Sequence, residues 1–312
     1  MAALFEKIVV VTRQTELDEL VQRFNTPAQA KFYLEQGGHS FDDIQAAHDR
    51  YRRVVRSVVD TFPRDQKHQV VDRALVPQFT FAEDDLVVTI GQDGLVSNTA
   101  KYLDGQPIFA INPDPERYDG ILLPFGPREF GPFLNAVLHG EFARTNVTLA
   151  AASSSDGQQL LAFNDFFIGA RSHVSARYEI EVAGRSEAHS SSGIIVSTGA
   201  GSTGWLQSVY AGAAGVIAAW GGTVVPPPHG GRLPWDSSRL IYSVREPFPS
   251  RVTQCSLVHG YLSQEMPLKV TSRMPTNGVI FSDGVEADFL TFNSGAALTI
   301  APADKKTVLV MK

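Results

Sequence analysis

Asp84-Asp85-Leu86-Val87-Val88-Thr89-Ile90-Gly91-Gln92-Asp93-Gly94 reads as an apolar strand running into a glycine turn that carries one aspartate. Leu86 to Ile90 is apolar and rich in β-branched residues, as a strand buried on both faces must be. Gly91 and Gly94 permit a close approach to the backbone. Asp93 is thereby placed at the carboxyl end of a parallel strand, which is where ligands bind in open α/β sheets.

Working outward, the first part of the chain alternates strand and helix. Lys7 to Thr12 is a first strand, and Glu16 to Phe24 a helix with Leu17, Leu20, Val21 and Phe24 on one face. Thr26 caps a second helix with Pro27 in its first turn, and Ser40 caps a third over Phe41 to Val59. The charged run Asp49 to Arg53 reads as the solvated side of that third helix. Val70 to Phe79 is either a strand or a short helix, Leu95 to Tyr102 a helix, Gln106 to Asn112 a strand and Glu129 to His139 a helix. This alternation predicts a parallel sheet.

The pattern changes near residue 142. Val147 to Ala152 and Leu160 to Asn164 flank the turn Ser155-Asp156-Gly157, a hairpin signal. Short strands then recur: Arg177 to Val182, Gly193 to Thr198, Ile241 to Arg245, Ser256 to His259, Leu268 to Ser272, Val279 to Phe281, Ala297 to Ile300 and Thr307 to Val310. One apolar stretch, Val209 to Trp220, reads as a buried helix because it is too short to span a bilayer. The expected fold is an α/β amino-terminal domain with a parallel sheet, over 1–142, followed by a β-rich, sandwich-like domain over 143–300. The segment 301–312 is free to return to the first domain.

Composition narrows the function. With 43% hydrophobic and 19% charged residues the chain is an ordinary globular protein, and its net charge of −6 argues against nucleic acid or an anionic membrane as partner. The single cysteine, Cys255, excludes an intrachain disulfide and fits a cytoplasmic location. The apolar run Met1 to Val11 has no basic region or cleavage pattern and reads as a strand. The eight histidines show no metal spacing. Neither a G-x-S-x-G elbow nor a G-x-G-x-x-G turn after the first strand is present.

Three motifs carry chemistry. Gly91-Gln92-Asp93-Gly94 offers backbone amides to phosphate and a carboxylate that could take a proton from a hydroxyl or help hold Mg²⁺; the alternative is an ordinary structural turn. Asn164-Asp165 can read ribose hydroxyls or a base edge, or simply form a turn. Ser197-Thr198-Gly199-Ala200-Gly201-Ser202-Thr203-Gly204-Trp205 presents small and hydroxylated residues to a polar ligand, or caps a helix.

In this order and spacing the three resemble the NAD kinase family, with its GGDG turn, Asn-Glu pair and T-P-T-G-S-T-A-Y loop. Phe281-Ser282-Asp283-Gly284 is similar to the family's late Asp-Gly turn. The resemblance covers most of residues 85–300. It implies transfer of a phosphoryl group from ATP, carried with Mg²⁺, to the 2′-hydroxyl of the adenosine ribose of NAD, giving NADP. It makes 1–142 the phosphoryl-transfer domain and 143–300 the dinucleotide-binding domain. By the same resemblance Asp93 is the base or orienting acid. Gly91 and Gly94 admit phosphate, and Gly94 also admits the dinucleotide. Asn164 and Asp165 bind the nucleoside end, while Thr203, Gly204, Trp205 and Ser208 line the dinucleotide pocket. A homodimer or homotetramer is expected on the same ground. Four positions depart from the family: Gln92 replaces a glycine, Asp165 a glutamate, Ser192 an aspartate and Leu95 a small polar residue. They leave open a kinase for another hydroxylated substrate, lipid or sugar, and a non-catalytic nucleotide-binding or regulatory protein.

Overall fold

The chain is described by a computed structural model over residues 4–312. The opening Met1–Ala3 of the apolar run lies outside the described residues. Two units emerge: residues 1–145 with 308–312, and residues 146–307.

In the first unit, β1 (Lys7–Thr12), β2 (Lys67–Asp72), β3 (Asp85–Ile90) and β4 (Pro107–Ile111) form a parallel sheet in the order β2-β1-β3-β4. Register sets Ile8 opposite Leu86 and Val10 opposite Val88, then Val88 opposite Phe109. β3 and β4 are buried along their whole length, which is why their sequences are mostly apolar rather than alternating, with Asp85, paired to Lys7, and Thr89 the polar exceptions. α1 (Glu16–Phe24) starts at a capping box between Thr15 and Asp18, and α2 (Pro27–Gln36) at Thr26 with Pro27 in its first turn. α3 (Phe41–Val59) begins at Ser40, whose side chain accepts from the Asp43 amide. The bounds of α3 are those its cap and its Val54, Val55, Val58, Val59 stripe predict. Tyr51 and Val58 of α3, with Phe130, Leu134 and Val137 of α5 (Pro127–Leu138), cover one face of the sheet. The stretch from Val70 to Phe79 resolves into the end of β2 and a 3-10 turn over Arg73–Gln78. The helix after the glycine turn, α4, is Asp93–Ala100, starting two residues earlier than the sequence suggests.

The second unit is antiparallel. β5 (Ala143–Ser154) and β6 (Gln159–Ala162) make the expected hairpin. β7 (Asp165–Ala170), β8 (Ala176–Val182), β9 (Arg185–Ser191) and β10 (Ile194–Ser197) follow, then α6 (Trp205–Ala219). β11 (Leu240–Val244), β12 (His259–Leu262), β13 (Leu268–Ser272), β14 (Gly278–Ser282), β15 (Val285–Thr291) and β16 (Ala297–Met311) complete it. One sheet runs β12-β11-β10-β7-β14-β15, and β16, β13, β8 and β9 pair in a second. Phe166, Ile168, Ile194, Val196 and Ile280 of the first meet Tyr178, Ile180, Val270 and Ile300 of the second in one apolar core. The two strands read separately over 297–300 and 307–310 are one, and its end belongs to the first unit, where Val308 and Leu309 pair in parallel with Pro107 and Ile108.

Two expectations about the elements are corrected. The strand expected over Ser256 to His259 lies instead over His259–Leu262, as β12. The stretch Val209 to Trp220 is helical within α6 but not buried: Ala211 to Gly215 are largely exposed, Val216 is 49% exposed and Trp220 84%. Only Leu206 of α6 is buried, so apolar composition alone misplaced it. Among the described residues no helix is long and apolar enough to cross a membrane.

Candidate functional site

In the first unit the carboxyl edge of the parallel sheet carries the site. Gln92 is the N-cap of α4 and Asp93 its first residue. The half-buried Asp93 carboxylate accepts from the Leu122 amide at 2.9 Å and the Ile121 amide at 3.2 Å. Each oxygen thus keeps a lone pair for a further donor. Gly91 is needed for space, since a Cβ there would sit 2.8 Å from Leu95 Cδ2. Its amide is engaged by Ile111 O at 3.2 Å, so Gly91 shapes the turn rather than offering an N–H to phosphate. Gly94 is exposed, open around its Cα, and lies in the helical turn whose amides have no intrahelical acceptor.

Beside Gln92 lies a cavity of about 300 Å³ walled by Arg13, His48, Arg50, Asp114 and Arg117. Arg13 follows the end of β1, and Asp114 and Arg117 follow β4. Tyr51 fixes this edge: its hydroxyl accepts from the Arg13 amide at 2.9 Å and donates to Ile90 O at 2.9 Å, tying the ends of β1 and β3. Arg50 pairs with Asp114 and Arg52 with Asp18. The charged run of α3 is therefore only partly a solvated face, because Arg50 belongs to the cavity wall. These arginines are scattered through the sequence; the one signal was the position of Arg13 just past the end of β1.

In the second unit Asn164 and Asp165 are held by the late Asp-Gly turn. Asp283 sits at φ +54° between β14 and β15, and its carboxylate accepts from the amides of Phe163 (3.0 Å), Asn164 (2.6 Å) and Asp165 (3.3 Å). Asp165 opens β7 rather than forming a turn, and its Oδ1 is buried with no hydrogen-bond partner among the described residues. Burial pushes its pKa up to about 7; a hydrogen bond with Ser197 opposes this and the Asp283 charge adds to it.

The sign of this shift predicts a pH effect. The folded protein holds a proton that the unfolded chain releases near the ordinary value of 3.8, so stability falls as pH rises from about 4 to about 7 and levels off above. Asp165→Asn removes that slope. The stability of wild type relative to the variant should fall by up to ~4 kcal/mol across the window, at ~1.4 kcal/mol per tenfold change in proton affinity. Urea unfolding at pH 4.5 and 8 measures it; parallel curves for the two proteins would contradict the assignment.

The Gly-Ser-Thr loop differs from expectation. Thr198 and Ser202 are fully buried and bonded within the unit: Thr198 Oγ1 donates to Phe163 O at 2.5 Å, and Ser202 Oγ donates to Gly199 O at 2.7 Å. They build the loop and are not free for a ligand. Gly199 and Gly201 permit its close packing, since a Cβ would come within 1.9 Å of Pro234 O and 2.1 Å of Asn164 O. Thr203, Gly204 and Ser208 are exposed at the start of α6, and Trp205 stacks on Phe167 with ring centroids 5.9 Å apart. Asp165, Asn164 and the loop are thus brought together in one unit, while Gly91, Asp93 and Gly94 lie in the other.

No protein-family model matches the sequence, and a search of curated proteins finds no match. Solved structures do match. An NAD kinase from Archaeoglobus fulgidus in complex with ATP superposes with a TM-score of 0.54 at 18% identity, over 97% of this chain and 92% of that one. Yeast NADH kinase complexed with NADH gives 0.61 at 15% identity, over 98% and 83%. At these identities the likeness speaks to architecture, and it shows that this chain has the fold of the NAD kinases.

Proposed function

We propose that the protein is a kinase of the NAD kinase type, moving a phosphoryl group from ATP to the 2′-hydroxyl of the adenosine ribose of NAD or NADH. The observation that carries this reading is Asp93: a half-buried carboxylate at a helix start and strand end, fixed by two amides with acceptor capacity to spare, next to an arginine-walled cavity. The ATP and NADH held by the two structural neighbours agree with it.

Phosphoryl transfer needs positioning and charge neutralisation more than covalent chemistry. Arg13, Arg50 and Arg117 would meet the donor's phosphates, and the first-turn amides of α4 would add to them. Asp93 would orient the acceptor hydroxyl and take its proton as the bond to phosphorus forms. Asn164 and Asp165 would bind the nucleoside, with Thr203, Gly204, Trp205 and Ser208 beside them. Among the described residues no group of three or more His, Cys, Asp or Glu could hold a metal alone. Mg²⁺ would be held mainly by the donor's phosphates, as is usual for this ion.

A thermal-shift screen tests the substrate class. ATP with Mg²⁺, and NAD or NADH, should each raise the melting temperature by several degrees at concentrations far above Kd. Sugars and lipid headgroups should not. A shift with a sugar or lipid and none with a dinucleotide would move the protein to the other kinase class. Dinucleotide binding without turnover would support the non-catalytic reading.

A further inference from the structure

A second cavity, of about 210 Å³, lies wholly in the second unit on the sheet face opposite its core. Its walls are aromatic. Trp205 stacks on Phe167 at 14° between ring planes, and Phe167 stacks on Phe281 at a centroid distance of 5.0 Å. Phe289 also lines the cavity. The Phe167 ring packs over Gly169 and Gly193, where a Cβ on either would come within 2.7 Å of it. Two guanidinium groups border the opening: Arg245 lies 5.4 Å from the Trp205 centroid and Arg171 5.1 Å from that of Phe289. Glu246, 3.6 Å from Arg245 and largely exposed, offsets one of these charges in part.

The volume suits one planar ring rather than a whole dinucleotide, since pockets for larger ligands begin near 300 Å³. The parallel aromatic planes suit stacking. The cavity borders Ala170 and Arg171, the end of β7 away from Asp165. If the phosphorylated nucleoside sits at Asp165, the other ring of the same molecule has this cavity along the same strand. The two ring states of such a dinucleotide differ in charge: the oxidised pyridinium is a cation and the reduced dihydropyridine is neutral. The two guanidinium groups, Arg245 partly buried and Arg171 exposed, oppose the first and are indifferent to the second.

Resting on the proposed function, we infer that this cavity holds the nicotinamide end of the dinucleotide and that Arg171 and Arg245 select the reduced ring over the oxidised one. Calorimetric titration of the whole protein with NADH and with NAD tests this. Wild type should bind NADH at least tenfold more tightly. Arg171→Gln with Arg245→Gln should bring the ratio close to one, by a gain for NAD rather than a loss for NADH. Both positions are solvent-accessible, and an unchanged melting temperature verifies the fold of the variant. Equal affinities in wild type, a ratio the double variant leaves in place, or no binding of either dinucleotide would overturn the inference. Phosphorylation of both dinucleotides at equal efficiency and affinity would overturn it while leaving the kinase intact. Selective binding without any phosphorylation would sustain it and remove the kinase.

Discussion

Asp93→Asn should lower phosphoryl transfer by 10²–10⁴-fold, the usual worth of a positioned general base, while leaving the fold nearly intact. Asparagine keeps one oxygen acceptor and can still receive the Leu122 amide at the position seen at 2.9 Å. It loses the second acceptor, because its amide nitrogen would face the Ile121 amide, at a cost of about 1 kcal/mol for one hydrogen bond. A purely structural aspartate would show the reverse: a small change in rate that follows the change in stability. The split between kcat and KM is informative as well. Substrate binding rests on other residues, so the KM values for ATP and dinucleotide should stay within a few-fold while kcat falls. An unchanged kcat would show that the carboxylate only anchors the 121–122 loop.

The second large effect is on stability. Asp283→Ala should destabilise the second unit by about 2–4 kcal/mol, from the loss of the carboxylate acceptor for three amides and because alanine tolerates positive φ less well than aspartate. The residue's φ is +54° and the next, Gly284, is at +70°. Asp283→Gly separates the two causes. Glycine relieves the backbone but removes the carboxylate, so it should recover about 1 kcal/mol of the loss and no more. Denaturant unfolding measures both. Because this carboxylate holds Asn164 and Asp165 in place, each variant should also weaken dinucleotide binding beyond what unfolding explains. Full recovery in the glycine variant would mean that the turn geometry, and not the capping, was the contribution.

The alternation of the first unit was legible because each element carries its own signal. Ser40 and the valines define α3, and the mostly apolar, β-branched run of β3 announces burial on both faces. β9, Arg-Ser-Glu-Ala-His-Ser-Ser, has no such signal; it is a strand because all seven of its residues pair with β8, from Val182↔Arg185 to Ala176↔Ser191. α6 misled in the opposite direction, since an apolar run without period says nothing about what covers it. At the site, the Asp93 turn and the Asn164-Asp165 pair stood out because each is local. The cavity wall did not, because Arg13, Arg50 and Arg117 converge only when the strand ends do. Likewise the hydroxyls of Thr198 and Ser202 looked available in sequence and are taken by backbone carbonyls in the fold.

The most direct test of the proposed chemistry is ³¹P NMR of the product made from ATP, Mg²⁺ and NADH or NAD by wild type beside Asp93→Asn. A 2′-phosphate monoester resonance that accumulates with wild type and not with the variant is the expected result. A wild-type sample that consumes no ATP and shows no new monoester, with both substrates bound, would contradict it.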